Sequence, residues 1–387
     1  MKIAIIQNVT LNDHRSVHSH NIACELVKRG HTVDCILQKT NDQLQYNDRP
    51  YNLIHIPGDT YSITGQLRFM IASWKVIQNG KYDIIHAKNP FSSLWSPVIL
   101  KKMKRIRSTL IYDMRGLWID FGMGAHQFPP FLAVFLKKCE KILADRCDGL
   151  IAISPTLKDI LCERGYKKEK IFVIVGAGVN IENIHKIHSL STPKKKSDDT
   201  IIGYVGTIST ARQSEKIIEA FTIVKKIISL KHEHSENDIK LVMIGPIIEP
   251  EIFNTATSDP SIQLTGFLPQ EEALGRLTTF DIAVSYHDSD DPQYTVAVPT
   301  KILEYMAAGV PIVATDHAMY TNILKNEKTA LLTKQNPADF ARGIFRLLET
   351  PHMAAQLAAH AHQDVYRYSV EAVVDQLEAV YEKLHTG

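Results

Sequence analysis

Cysteine is scarce in this chain. The five present (Cys24, Cys35, Cys139, Cys147, Cys162) are odd in number and form no C-x-x-C pair. That excludes a disulfide-stapled scaffold and suits a reducing cytoplasm, with the thiols as small buried hydrophobes. Long apolar runs are missing too. The longest strongly apolar stretch, at 128–136, falls well short of the roughly 20 residues that a membrane-spanning helix needs. Met1-Lys2 leads straight into Ile3-Ala4-Ile5-Ile6, a strand-like opening that leaves no place for a secretory leader. No internal repeat has a fixed period. Net charge is nearly absent, at +2, and 44% apolar with 22% charged residues excludes a disordered chain.

What is present is an uneven distribution of charge. Residues 1–190 hold 26 Lys and Arg against 16 Asp and Glu, a surplus of ten. Residues 191–387 hold 18 against 26, a deficit of eight. With 387 residues, two or three domains are expected. A basic half joined to an acidic half indicates two of them with different partners; the basic half suits phosphates or an anionic membrane surface. Chance drift between domains is the plain alternative.

Each half alternates short β-branched runs with amphipathic segments, the pattern of parallel sheets covered on both faces. In the first half strands are expected at 2–7, 32–37, 52–56, 83–87, 110–114, 149–153 and 172–175, with helices at 16–29, 66–78, 92–103, 130–146 and 155–164. The second half has strands at 201–205, 240–244, 262–265, 282–286, 311–315 and 330–332, and helices at 215–228, 271–278, 300–308, 337–348 and 370–384. Periodicity is lost at 185–200, which reads as a linker, and 231–238 reads as a solvated loop. The expected division is therefore a first domain at 1–185, a linker at 186–200, a second domain at 201–365, and a final helix at 366–387 returning to the first domain. Two doubly wound Rossmann-like domains place ligands beyond the carboxyl ends of their strands, so facing domains would share a cleft.

Two constellations carry chemistry. Val205-Gly206-Thr207-Ile208-Ser209-Thr210-Ala211-Arg212 joins a strand to a helix. Gly206 permits close ligand approach, and Arg212 offers a permanent planar cation to phosphate. In Val298-Pro299-Thr300-Lys301-Ile302-Leu303-Glu304, Pro299 suits the first helical position. The Thr300 and Lys301 amides then form an anion site at the helix start. Glu304, one turn on, can accept two hydrogen bonds from vicinal ribose hydroxyls, or simply interact with the helix dipole.

These residues carry a resemblance. Glu304-Tyr305-Met306-Ala307-Ala308-Gly309-Val310-Pro311 closely resembles the "EAMAxGxPVV" block of the retaining glycosyltransferases of GT-B fold, in the large family-4 group also described as glycosyl transferases group 1. Arg29-Gly30-His31-Thr32-Val33, Tyr82-Asp83-Ile84-Ile85-His86-Ala87 and Asp148-Gly149-Leu150-Ile151-Ala152-Ile153-Ser154 resemble further family motifs, as do residues 175–180 more loosely. The resemblance runs nearly end to end.

It implies a metal-independent enzyme without cofactor that moves a sugar from a nucleoside-diphosphate sugar to an acceptor hydroxyl, keeping the anomeric configuration. A lipid-linked saccharide or surface polysaccharide precursor as acceptor would account for the basic first half. The donor side would comprise Gly206, Thr207, Arg212, Gly245, Gly266, Phe267, Leu268, Pro299, Thr300, Lys301 and Glu304. The acceptor side would comprise His14, Arg15, His86, Lys88 and Arg115. Catalytic roles would fall to Arg212, Arg115 and Glu304. A sugar-nucleotide epimerase of GT-B fold and a catalytically silent nucleotide-sugar-binding protein are the rivals.

The sequence departs from the family in three places. Eight residues before Glu304, where the family often has a second Glu, stands Val296. The glycine pair after the first strand is absent. Arg115 stands where a His is common, and a permanent cation cannot be a general base; Asp113-Met114-Arg115-Gly116-Leu117-Trp118 does resemble the "DxRGLW" of a family subset.

Other features read more plainly. Asp288-Ser289-Asp290-Asp291 resembles a metal-binding D-x-D but follows a late strand, the context of a polar loop. His14, His18 and His20 lack an evident fourth ligand and suit acceptor or phosphate contact better than metal. Gly176-Ala177-Gly178 is half of a dinucleotide fingerprint, but the third Gly and the early βαβ context are missing, which argues against a nicotinamide cofactor. Nothing accompanies the basic charge to indicate nucleic acid. The stretches 95–107 and 128–138 mix aromatic, aliphatic and basic residues, and so suit peripheral attachment to an anionic inner membrane face or a core-packed helix with a basic end.

Overall fold

The computed structural model describes residues 1–11, 13–40, 49–60, 62–88, 90–124, 129–176, 178–190, 199–231, 239–253 and 258–386. The chain forms two compact units. One holds Met1–Gly178, Thr295–Ala297 and Val370–Gly387; the other holds Val179–Tyr294 and Val298–Ser369.

The first unit is built on seven strands: β1 (Lys2–Gln7), β2 (Thr32–Gln38), β3 (Asn52–Ile56), β4 (Ile84–Ala87), β5 (Thr109–Met114), β6 (Gly149–Ala152) and β7 (Ile171–Val173). Their order is β3-β2-β1-β4-β5-β6-β7, and every pairing is parallel. The order reverses between β1 and β4, which opens a crevice at the carboxyl edge there. Connections that step from β3 rightward to β7 are right-handed, which puts helices Ile63–Gly80, Trp95–Lys102, Pro130–Ala144 and Pro155–Glu163 on one face.

The opposite face is covered by helices Val17–Lys28 and Val370–His385. The final helix buries Val370, Val373, Val374, Leu377 and Tyr381 in the same core as Ile3, Ile5, Ile22 and Leu26. Arg29 ties it down through Asp375 at 2.5 Å and Glu378 at 2.6 Å.

The second unit has six strands: β8 (Thr200–Val205), β9 (Ile239–Ile244), β10 (Ile262–Leu264), β11 (Ile282–Ser285), β12 (Ile312–Thr315) and β13 (Leu331–Thr333). Their order is β10-β9-β8-β11-β12-β13, again all parallel, with the reversal between β8 and β11. Its core joins Ile202, Tyr204, Phe221, Leu241, Val284, Val313 and Phe340.

The domain bounds differ from those expected. Residues 186–190 are not linker; they belong to helix Ile181–Leu190, which packs on helices Gln270–Leu277 and Thr300–Ala307 and so puts the first boundary at Gly178. The rest of that linker, 191–198, and the loop at 232–238 lie outside the described residues. Helix Pro351–Asp364 was not expected. Its apolar positions are mostly alanine, so its periodic signal is weak. Among the described residues no helix is long and apolar enough to cross a membrane.

Candidate active site

In the second unit the expected donor residues gather at the carboxyl edge of the sheet. The Gly206 amide donates to the Ile244 carbonyl at 2.8 Å, and the Gly245 amide donates to that of Gly266 at 3.1 Å. Gly206 and Gly245 have φ of 146° and 144°. A Cβ on Gly245 would stand 2.1 Å from the Gly206 carbonyl oxygen. Bare backbone is thus required for β8 and β9 to end side by side. Thr207 lends its carbonyl to the Tyr204 hydroxyl at 2.9 Å. Phe267 is exposed beside Gly266, and Leu268 is half-buried.

Helix Thr300–Ala307 begins at the same edge. Pro299 is not its first helical residue, as expected, but its N-cap: ψ of 122° keeps it extended, so Thr300 starts the helix. The Thr300 and Lys301 amides belong to the first turn, which lacks intrahelical acceptors. The Val205 amide donates to the Tyr305 hydroxyl at 2.8 Å, which fixes the helix against β8.

Sequence reasoning used Lys301 only for its amide, yet its side chain matters as much. Its Nζ lies 4.1 Å from the Tyr204 ring centroid. Burial, aided by the Arg212 guanidinium, pushes the ammonium down to about 7, with Glu304 opposing. Glu304 is itself pushed up to about 7 by burial, against the pull of Lys301. Arg212 ends the short turn Thr210–Arg212, whose start is capped by Ser209, and its side chain is exposed. The result is a cation pair, a helix start and a carboxylate in one place. Such a group can hold a diphosphate and a diol.

His287 was missed as well. It follows β11, its amide donates to Thr315 Oγ1 at 3.0 Å, and burial pushes its imidazole down to about 4, helped by His317 and Arg212. Its Nε2 is buried without a hydrogen-bond partner among the described residues. The polar Tyr286-His287-Asp288 triplet closing an apolar strand was the available signal. Asp288 is a loop strut: the Gln213 side chain donates to it, as does the Tyr286 hydroxyl at 3.0 Å. Asp291 accepts from the Gln293 amide at 3.0 Å.

The first unit has its own polar cluster at its carboxyl edge. Lys88 Nζ meets His18 Nδ1 and lies 3.9 Å from Asp113. Arg115 reaches Asp113 at 3.7 Å and donates to the Gly176 carbonyl at 2.7 Å. Burial pushes Lys88 down to about 7, with Asp113 opposing. Although burial opposes it, Asp113 is held well below the usual carboxylate range by Arg115, His86 and Lys88.

His86, assigned to the acceptor side, is instead an internal strut. It is fully buried, and its ring nitrogens engage the Tyr381 hydroxyl at 2.7 Å and Asp113 at 3.1 Å. Arg15 pairs with Asp13 of its own loop, and His14 contributes a backbone position in turn His14–Ser16. His18 and His20 diverge, since His20 engages Tyr51 at 2.9 Å. Val296 is buried, and its carbonyl accepts from Ser154 at 2.9 Å, so that position supplies packing.

Comparison with known proteins adds to this geometry. Residues 16–182 match the model described as Glycosyltransferase Family 4, and residues 186–364 match that described as Glycosyl transferases group 1. The chain is 22% identical over 320 residues to the putative glycosyltransferase EpsD of Bacillus subtilis, covering 79% of this chain and 78% of the relative. It is 21% identical over 327 residues to the N,N'-diacetylbacillosaminyl-diphospho-undecaprenol alpha-1,3-N-acetylgalactosaminyltransferase of Campylobacter jejuni, covering 80% and 79%. Its fold is similar to that of Anabaena HepE in complex with UDP and glucose, with a TM-score of 0.74, 16% identity, and 99% and 100% of the chains covered.

Proposed function

The chain belongs to the group 1 glycosyltransferases of GT-B fold, tiled by the two family models, and on that premise we propose that it transfers a sugar from a nucleoside-diphosphate sugar to an acceptor hydroxyl with retention of configuration. The observation that carries the reading is the grouping of Lys301, Arg212, Glu304 and the start of helix Thr300–Ala307 at the carboxyl edge of the second sheet.

The chemistry follows from charge. As the anomeric bond to the diphosphate breaks, negative charge grows on the leaving phosphate oxygens. Preorganised cations and amides stabilise that growth where water is excluded. Buried Lys301 is such a group, exposed Arg212 and the helix-end amides add to it, and together they take the part a divalent cation plays elsewhere. Approach of the diphosphate favours the ammonium form of Lys301, whose burial otherwise disfavours it. Glu304 accepts from the two ribose hydroxyls. The acceptor oxygen forms the new bond to the anomeric carbon, and its proton passes to the leaving diphosphate.

A lipid-linked saccharide or polysaccharide precursor is the proposed acceptor class, supported by the diphospho-undecaprenol substrate named for the Campylobacter relative. A peripheral position on an anionic membrane accords with it. Calorimetric titration with UDP, GDP, ADP and TDP in EDTA tests the donor side. Saturable binding of one nucleotide without metal is expected; binding by none of them overturns the reading.

A further inference from the structure

The strongly basic stretch of the first unit and most of its exposed apolar side chains are not in the same place. In a parallel sheet with right-handed crossovers, each helix starts at the carboxyl edge of the strands and ends at the amino edge. The basic end of helix Trp95–Lys102 accordingly lies at the amino edge. Lys101 donates there to the Ser108 carbonyl at 3.0 Å, just before β5 begins. Lys102, Lys104, Arg105 and Arg107 are exposed at that end.

Most of the exposed apolar residues sit at the opposite end, Met103 and Ile142 being the exceptions at the amino edge. On helix Ile63–Gly80 they are Ile63 (81% exposed), Leu67 and Ile71 (73%), one stripe at a spacing of four. On helix Pro130–Ala144 they are Phe131 (77%), Val134 and Phe135 (61%). Both groups occupy the early turns of their helices, on one face of one sheet. Trp95, partly exposed, stands between them at the start of helix Trp95–Lys102, its ring 6.2 Å from that of Trp74. This is the edge at which Lys88 and Arg115 lie.

The exposed charge on the two long helices has one sign, while the neighbouring Asp120 is taken up by Lys137 and Arg164 and Asp59 lies beside Gly65. Helix Ile63–Gly80 contains no acid, and its Arg68 and Lys75 are exposed. The only acid of helix Pro130–Ala144 is Glu140, buried against the Tyr112 hydroxyl at 2.6 Å, whereas Lys138 is exposed. Protruding aliphatic and Phe side chains with a cationic surround match acyl chains beneath anionic headgroups.

We propose that the early turns of helices Ile63–Gly80, Trp95–Lys102 and Pro130–Ala144 form the face by which this protein docks on an anionic lipid bilayer, which brings the acceptor edge of the first unit to the headgroups. The proposal rests on the reading of a lipid-borne acceptor. It assigns docking to the apolar end of the layer and not to the basic stretch at 101–107.

The test is flotation of the full chain with vesicles of phosphatidylglycerol and phosphatidylcholine near physiological salt. The wild type is expected to float with them. The quadruple variant Ile63→Ser, Ile71→Ser, Phe131→Ser, Phe135→Ser should lose partitioning by about tenfold or more. Lys102→Ser with Arg105→Ser should leave it within about twofold. In the unmutated apolar face, brominated acyl chains should quench tryptophan fluorescence, and Trp95→Phe should remove most of that quenching. This readout does not depend on the folding of the quadruple variant. Absence of wild-type binding, or equal binding by the quadruple variant, overturns the proposal. So does sedimentation showing a wild-type dimer that the quadruple variant loses, which would give the face to a second copy. Nucleotide titration of the same quadruple variant keeps the two readings apart: intact nucleotide binding with lost flotation supports docking, whereas vesicle binding without nucleotide binding sinks the donor reading alone.

Discussion

Each unit places a lysine, a carboxylate and an arginine together at the carboxyl edge of its sheet, and the two carboxylates meet opposite fates. Asp113 in the first unit is held ionised because Arg115, His86 and Lys88 all bear on it. Glu304 in the second is pushed up to about 7 because burial outweighs Lys301 alone. The two lysines are alike, each pushed down to about 7 by burial. The number of cations around the acid, not its depth, decides its charge. The first cluster thus holds an anion among its cations; the second leaves Lys301 and Arg212 with charge that a bound diphosphate would complete.

The widest separation between the clusters should be in stability. Asp113→Ala strips a buried network of its only anion and should cost about 3–5 kcal/mol in urea denaturation, whereas Glu304→Gln should cost about 1 kcal/mol or less. Equal losses would remove the distinction. Next is Arg212→Ala, expected to lower kcat/KM by about 2–4 kcal/mol of transition-state stabilisation while leaving the fold unaffected. Full activity would take Arg212 out of the mechanism.

A smaller effect separates the role of Glu304. The wild type should bind a 2'-deoxynucleotide about 1.5–3 kcal/mol more weakly than the ribonucleotide. The Glu304→Gln variant should discriminate far less in calorimetry. The same preference in both proteins would move the ribose contact elsewhere.

The finest test is the pH dependence of unliganded stability. Glu304 has a raised pKa, so its contribution is full below about 4.5 and is lost as pH rises through about 7. Lys301 has a lowered pKa, so its contribution is full above 10.5 and is lost as pH falls through about 7. Asp113, with a depressed pKa, contributes above its ordinary range near 3.8 and fails only in stronger acid. From pH 5 to 7 the wild type should therefore lose stability relative to Glu304→Gln in paired denaturation curves. A flat difference would show that Glu304 is already ionised.

Much of the fold was legible because alternation is a local property. β1 and β3 fall at their expected bounds, and the other strands within two residues of theirs. The Pro caps of helices Pro155–Glu163 and Pro337–Glu349 stand where Ser154-Pro155 and Asn336-Pro337 put them. Helix Ile181–Leu190 was lost to a composition that looked like linker, and it is held by packing on two distant helices.

The site was legible where backbone requirements are written in residue type. Gly206, Gly245 and the Thr300 helix start could be placed from the chain, since bare backbone and helix entry have local signatures. Ionisation could not be placed, because it depends on which groups burial brings together. His86 resembled an acceptor contact until Tyr381, 295 residues away, took one of its nitrogens. Lys301 gave only an amide until Tyr204 and Arg212 came to stand beside its ammonium.

By itself the sequence determined two doubly wound parallel sheets, the loops that follow their strands, and the family that the Glu304–Pro311 block announces. Tertiary structure alone decided which carboxylate stays charged and at which end of a helix layer most of the apolar side chains stand. The physical reason is range. Hydrogen-bonded periodicity and turn chemistry act over a few residues, whereas burial and charge act through space, between groups that only the folded chain makes neighbours.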